Sequence, residues 1–206
     1  MTSPLTKPYF QPPTESLLHD AFQTLSSIGS LAASDVEMLL PFVHRRFFKK
    51  EQVFLLPEKT NSQMCLVQSG AFRTYFVTGS KEVNYDFTFE GEFLLVSADP
   101  DCHGYNRFVE ALETSSVLYF SENGLASVSN RSRNWSKLMH DLTQEQNRKL
   151  EARLLSMLLL GSRERYLDLL ENNPKLFARV PLYHIASYLG IERETISRLR
   201  RKIHCI

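Results

Sequence analysis

The chain has 206 residues, 43% of them hydrophobic, with 24 Lys and Arg against 23 Asp and Glu and a formal net charge of +1. This is enough apolar material for one large domain or two ordinary ones with buried cores, so the chain is expected to fold and to be soluble. No apolar run reaches the roughly 18 to 20 residues of a membrane span, and the N-terminal MTSPLTKPYFQPP lacks the apolar stretch of a signal peptide, so no membrane partner and a cytoplasmic location are expected.

The near-neutral total hides an asymmetry. From Glu145 onward there are 12 basic and 7 acidic residues, while the preceding part holds 12 basic and 16 acidic ones, which places a basic partner surface at the C-terminal end. Cys65, Cys102 and Cys205 are odd in number and scattered, with no C-x-x-C spacing, and so imply no disulfide framework, zinc site or four-thiolate cluster.

Residues 1–16 contain Pro4, Pro8, Pro12 and Pro13, which forbid a helix or central strand and predict a flexible extended arm. From Leu17 to Val43, Leu18, Phe22, Leu25, Ile28, Leu31, Val36, Leu39 and Leu40 recur at helical spacing. Ser34 and Asp35 mark the start of the second of two short helices. Between Arg45 and Phe120 the period changes to two, in runs such as Val53-Phe54-Leu55, Cys65-Leu66-Val67, 72–77 and 109–112. These are broken at Gly70, Gly79-Ser80 and Glu90-Gly91. Many short strands predict a barrel or roll, with a hairpin at 79–80 and a longer loop over Pro100–Gly104.

No Gly or Pro occurs from Ser129 to Leu160, and Trp135, Leu138, Met139, Leu142, Leu150, Leu154, Met157 and Leu158 form a stripe interrupted at 144–147. The expectation is one long helix over 129–160 whose apolar seam is a homodimer axis, although packing on its own domain would give the same pattern. A further helix over 162–170 and a turn over 174–177 follow.

The 22 residues PLYHIASYLGIERETISRLRRK, 181–202, read as a helix-turn-helix. Ile185, Ala186, Leu189, Ile191, Ile196 and Leu199 supply the inner faces of two short helices, with Ala186 small enough for their crossing and Gly190 free to take the positive φ of the turn. On the second helix, 192–203, residues Arg193, Glu194, Ser197, Arg198 and Arg201 share one face. Its arginines suit phosphate and guanine contacts, which makes double-stranded DNA the expected partner.

A β-roll, a long helix and a helix-turn-helix in that order resemble the Crp/Fnr superfamily of bacterial transcription regulators over nearly the whole chain from about residue 17. Local motifs carry the resemblance. Gln68-Ser69-Gly70 followed by a strand bearing Arg73 is similar to a turn in the family's roll, and Glu90-Gly91-Glu92-Phe93 is similar to the segment entering its nucleotide cassette. Arg193-Glu194-Thr195-Ile196-Ser197-Arg198 is similar to its recognition helix. The resemblance implies an α+β fold: an N-terminal cyclic-nucleotide-binding-like β-roll (17–128), a long dimerisation helix (129–160) and a C-terminal all-α helix-turn-helix domain (161–206). It implies that Arg193 donates to guanine O6 and N7, that Glu194 accepts from cytosine N4, and that Arg198 reaches a second guanine or a phosphate. Thr195 and Ser197 would anchor phosphates. An i, i+4 ion pair between Glu194 and Arg198 is an equally open role.

The sequence also departs from that family. Where nucleotide-binding members carry a ribose-binding carboxylate, this chain reads Leu94-Leu95-Val96-Ser97, and Arg107 lies one residue from the phosphate-binding position, where a one-residue slip turns a strand side chain to the opposite face. Glu92 and Arg107 are the candidates for an effector pocket, with a cyclic nucleotide disfavoured, no cofactor expected, and any small-molecule effector unknown. His44, His103 and His140 are isolated, which implies neither haem ligation nor a metal site. Only 203–206 follow the recognition helix, so no β-hairpin wing is expected after it. Paired catalytic carboxylates, a nucleophile elbow, a Gly-rich phosphate loop and H-E-x-x-H are all missing, and an enzyme is not expected. The competing reading is a ligand- or protein-binding sensor or scaffold with a vestigial DNA-binding domain.

Overall fold

The computed structural model describes residues 10–11, 14–28, 31–54, 63–96, 101–102 and 105–204. They divide into two compact units, the first comprising 1–72, 88–100 and 109–141 and the second 73–87, 101–108 and 142–206.

In the first unit, strands β1 (Phe10–Gln11), β2 (Val43–Phe48), β10 (Ser115–Phe120), β4 (Gln63–Ser69) and β7 (Phe93–Val96) form one sheet in the order β1-β2-β10-β4-β7. β10 is central because nearly every residue of SSVLYF is buried, a pattern only a strand covered on both faces can bear. It pairs antiparallel with β2 and with β4, with an irregularity between Ser116 and Val117. Phe48, Cys65, Val67, Phe72, Leu94, Val109, Ala111 and Val117 pack as one apolar cluster, in which the Phe48 and Phe72 rings meet edge to face at 5.3 Å. Burial pushes the Cys65 thiol up to about 12, against the pull of Arg46, so it behaves as a small apolar side chain. The second sheet runs β3 (Val53–Phe54), β9 (Tyr105–Ala111), β5 (Phe72–Thr78), β6 (Lys81–Thr88), with β8 (Asp101–Cys102) paired to β9.

Within the expected arm, Phe10 and Gln11 pair with Arg46 and Arg45 at the sheet edge, while Pro4, Pro8, Pro12 and Pro13 lie outside the described residues. Helix α1 (Glu15–Ser26) starts inside the expected arm because the Thr14 hydroxyl accepts from Leu17 N at 3.2 Å. In α2 (Ala33–Leu39), Asp35 rather than Ser34 closes the first turn, its carboxylate accepting from Ala32 N at 2.9 Å. The expected long loop over 100–104 is shortened by the pairing of Asp101 with Asn106 and Cys102 with Tyr105, while His103 and Gly104 lie outside the described residues.

The expected 129–160 helix is present as one helix that starts four residues later, at Arg133, and a short helix not expected from the sequence precedes it. α3 (Glu122–Ser129), opened by the Ser121 hydroxyl, ends at Asn130, and α4 (Arg133–Leu159) restarts where the Ser132 hydroxyl accepts from Trp135 N at 3.0 Å. The Ser132 cap therefore sets the start of α4 inside a stretch free of Gly and Pro. α3 also explains Gly124, since a Cβ there would lie 2.3 Å from Phe42 Cβ.

In the second unit α5 (Ser162–Asn172) packs on α6 (Pro174–Arg179), α7 (Leu182–Leu189) and α8 (Arg193–His204). Tyr166, Leu169, Leu176, Val180, Ile185, Leu189 and Ile196 are buried among these helices, with the Tyr166 and Phe177 rings edge to face at 5.2 Å. Beside them His184 is only 5% exposed. Its Nδ1 lies 3.2 Å from both Arg73 Nη1 and Asn84 Nδ2, two donors, so Nδ1 is the acceptor and the ring is neutral with its proton on Nε2. Arg73 is in turn paired with Glu82 at 2.7 Å.

Burial and then the Arg73 charge push His184 down from 6.5 to about 4. Between those values the unfolded chain holds more protons than the folded one. The stabilisation is therefore complete above about pH 6.5 and is lost as the pH falls toward 4. In urea unfolding at pH 7 and pH 5, the wild type is expected to lose about 1–2 kcal/mol more than His184→Asn, which keeps an acceptor near Nδ1 but cannot titrate. Equal losses would show that His184 does not carry this dependence.

Candidate nucleic-acid interface

The geometry of α7 and α8 is set by the turn between them. Gly190 has φ 65° and ψ 37°, and it closes α7 with two crossed bonds: Gly190 N donates to Ser187 O at 3.2 Å and Ile191 N to Ala186 O at 3.0 Å. This is a Schellman closure, which needs a left-handed residue and so favours glycine. The choice is conformational rather than steric, since a Cβ at Gly190 would stand 3.4 Å from Met157 Cε, an ordinary contact. Ile185 and Ile196 are fully buried and Ala186 nearly so, which fits the small residue expected where the helices cross.

Past the turn, Thr195 N and Ile196 N donate to Glu192 O at 3.0 and 3.2 Å, so Glu192 is the residue from which α8 springs. The helix runs Arg193–His204 rather than 192–203, a shift of one residue set by this carbonyl. With Ile196 turned inward, Arg193, Glu194, Ser197, Arg198 and Arg201 line one concave surface, as their spacing predicts. Arg193, Glu194, Arg198 and Arg201 are exposed, and Thr195 and Ser197 are half-buried.

The ion pair considered between Glu194 and Arg198 is not formed. Arg198 Nε donates to the main-chain oxygen of Glu194 at 3.3 Å and Nη2 to Thr195 Oγ1 at 3.4 Å. The Glu194 carboxylate is thus left to the surface, while part of the Thr195 hydroxyl is engaged within the helix. Arg193 has a neighbour that sequence spacing does not reveal: its guanidinium lies 5.9 Å from the centre of the Tyr183 ring, half-exposed on α7.

The two candidate effector residues serve local structure. Glu92, in the first unit, accepts from Phe89 N at 2.9 Å and braces the turn that Glu92 N closes on Phe89 O. The same turn is tied to the Gln68-Ser69-Gly70 motif: Gly70 N donates to Glu90 Oε1 at 2.8 Å, and Gly91 N to Val67 O at 3.0 Å. Gly70 has φ 89°, and a Cβ there would fall 2.0 Å from Ser115 Oγ, so this motif glycine is fixed by both conformation and space. Arg107, in the second unit, lays its guanidinium over the rings of Phe76 and Tyr85 at 5.3 and 5.7 Å. Among the described residues no group of three His, Cys, Asp or Glu is placed to hold a metal ion. His44 is half-buried in β2 and His140 is exposed on α4, while Cys205 lies outside the described residues. No described helix is long and apolar enough to cross a membrane.

No protein-family model matches the sequence, and no curated protein matches it. Solved structures do. FixK2 from Bradyrhizobium japonicum is 18% identical over 79% of this chain and 85% of its own, with a TM-score of 0.67. A CooA variant from Carboxydothermus hydrogenoformans is 17% identical over 89% and 84%, with a TM-score of 0.65. A chain from Eubacterium rectale, described as a transcriptional regulator of the Crp/Fnr family, is 16% identical over 89% and 88%, with a TM-score of 0.64. The expected architecture is therefore established: this chain has the fold of the Crp/Fnr-type regulators, an antiparallel β core with a long helix and a C-terminal helix-turn-helix.

Proposed function

We propose that the protein is a cytoplasmic DNA-binding transcription regulator, not an enzyme, which reads a palindromic site as a homodimer. The observation that carries this reading is the exposed concave face of α8, where Arg193, Glu194, Ser197, Arg198 and Arg201 stand together over a helix anchored from behind by Ile196. Fork-shaped guanidinium donors next to a carboxylate acceptor suit the edges of guanine and cytosine in a major groove, and the half-buried hydroxyls of Thr195 and Ser197 suit the flanking phosphates. One helix of 12 residues offers few contacts, so the reading requires a second copy.

That copy has a surface to use. Leu150, Leu154, Met157 and Leu158 are 40%, 59%, 38% and 70% exposed on α4 at four- and three-residue spacing, the seam along which two helices pair. Sedimentation velocity is expected to show a dimer, and the double substitution Leu154→Asp with Leu158→Asp a monomer. A variant that still dimerises would place the interface elsewhere.

Two such dimer-related helices fit successive major grooves, about 34 Å apart. Selection of bound fragments from random duplex DNA is expected to return an inverted repeat with that half-site spacing. Arg193→Ala is expected to cost about 1–3 kcal/mol on the selected duplex and to relax preference at one base pair per half-site. Equal losses on random DNA would mean that Arg193 contacts only phosphate, and no enrichment at all would overturn the assignment.

The effector of this regulator is taken to be something other than a cyclic nucleotide bound in the family's usual way. Leu94 is built into the apolar core, Glu92 holds its own turn, and Arg107 is stacked on Phe76 and Tyr85. Addition of cyclic AMP is expected to leave the melting temperature unchanged, and a saturable rise would restore Glu92 and Arg107 as pocket residues.

A further inference from the structure

β6 is the last strand of its sheet, and such an edge leaves main-chain groups in need of partners. Here helices of the same compact unit supply them. Ser187, on α7, accepts from Asn84 N at 3.0 Å and donates to Glu82 O at 3.1 Å. Arg153, on α4, donates to Tyr85 O and, at 3.1 Å, to Asn84 O and to Tyr188 O of α7, while its guanidinium lies 4.2 Å from the centre of the Tyr188 ring. The Phe87 and Tyr188 rings are 5.4 Å apart.

A second layer lies behind this one. Asn84 is 1% exposed, Arg73 4% and His184 5%. Asn84 Nδ2 donates to His184 O at 3.2 Å, and its Oδ1 accepts from Arg73 Nη1 at 3.3 Å, so one strand residue holds both the main chain and the ring of an α7 residue 100 positions away. Buried polar groups that satisfy one another in this way define an orientation, because any slide of the helix along the strand leaves several of them unpaired together.

We propose that the hairpin β5–β6 latches the reading helices, with Asn84 and Ser187 as positioning residues for DNA recognition: they hold α7, and through the Gly190 turn α8, in the orientation that reads. The proposal rests on the DNA-reading assignment above. Neither residue lies on the α8 face, so their effect on binding comes through fixing that face beforehand, which removes ordering cost from the binding step.

The test uses the full chain and two measurements, amide hydrogen exchange and the Kd for the selected duplex. Ser187→Ala removes both hydroxyl bonds to β6 while improving helix propensity, and Asn84→Ala removes the inner layer. Each is expected to raise exchange over 182–189 and 81–88 together and to weaken binding by about threefold to tenfold, the range of one or two lost hydrogen bonds, with base preference unchanged. Val67→Ala, in the apolar cluster of the first unit, is the control: it should lower Tm and leave both the α7 exchange and the Kd as they were. Unchanged exchange in both latch variants, faster exchange with unchanged or tighter binding, or an equal change of Kd in Val67→Ala would each overturn the proposal. A wild-type chain that binds no duplex, with the exchange result intact, overturns the DNA-reading assignment and not the hold on α7.

Discussion

The left-handed backbone of Gly190 is the constraint on which the presentation of the α8 face depends. It lets Gly190 N and Ile191 N reach back to Ser187 O and Ala186 O, which ends α7 and leaves only 190–192 between it and α8. With so short a connection, the angle between the helices is decided by what they bury against each other, and Ala186 and the fully buried Ile185 and Ile196 decide it. Any other residue at 190 meets an unfavourable φ. Once Ile196 faces inward, helical periodicity alone carries Arg193, Glu194, Ser197, Arg198 and Arg201 to the other side.

The basic excess of the C-terminal part does not all belong to the nucleic-acid surface. Arg153 is directed inward, to three main-chain oxygens and the faces of Tyr85 and Tyr188. Arg165 Nη1 donates to Leu160 O at the end of α4. These are structural uses of the guanidinium, which can bond several carbonyls at once and lie flat on a ring. The arginines that share one exposed concave face are Arg193, Arg198 and Arg201 of α8, so net charge over 145–206 overstates that face.

Where a residue's neighbours are close in sequence, the sequence was legible. The Gly190 turn, the inward Ile196, the five-residue face of α8, the hairpin at 79–80 and the central strands could all be read from periods of 3.6 and 2 and from turn residues. The start of α4 is legible too, in the Ser132 cap, whereas the absence of Gly and Pro alone places it at Ser129. What could not be read were partners fixed by tertiary approach. Nothing near Asn84 announces His184 and Ser187, and nothing near Glu92 announces that its carboxylate accepts from Phe89 N. The two motif segments 68–70 and 90–93 are joined in a way their resemblance does not announce: Glu90 takes the Gly70 amide.

α4 connects these features within the second unit. A helix as short as α8 has little order of its own in water, and its geometry is borrowed from what packs behind it. Over residues 150–158 one side of α4 exposes Leu150, Leu154 and Leu158, while between them Arg153 grips the β6 edge and Tyr188, and Met157 lies against the Gly190 turn. Two turns of helix thus bear an exposed apolar seam, a hold on the hairpin and a contact with the turn that orients α8. A rotation of those turns that better buried the seam against another helix would move Arg153 and Met157 with it, because all of them project from the same rigid backbone. The proposed dimerisation and the proposed reading orientation would for that reason be mechanically joined, over a distance of about two helical turns.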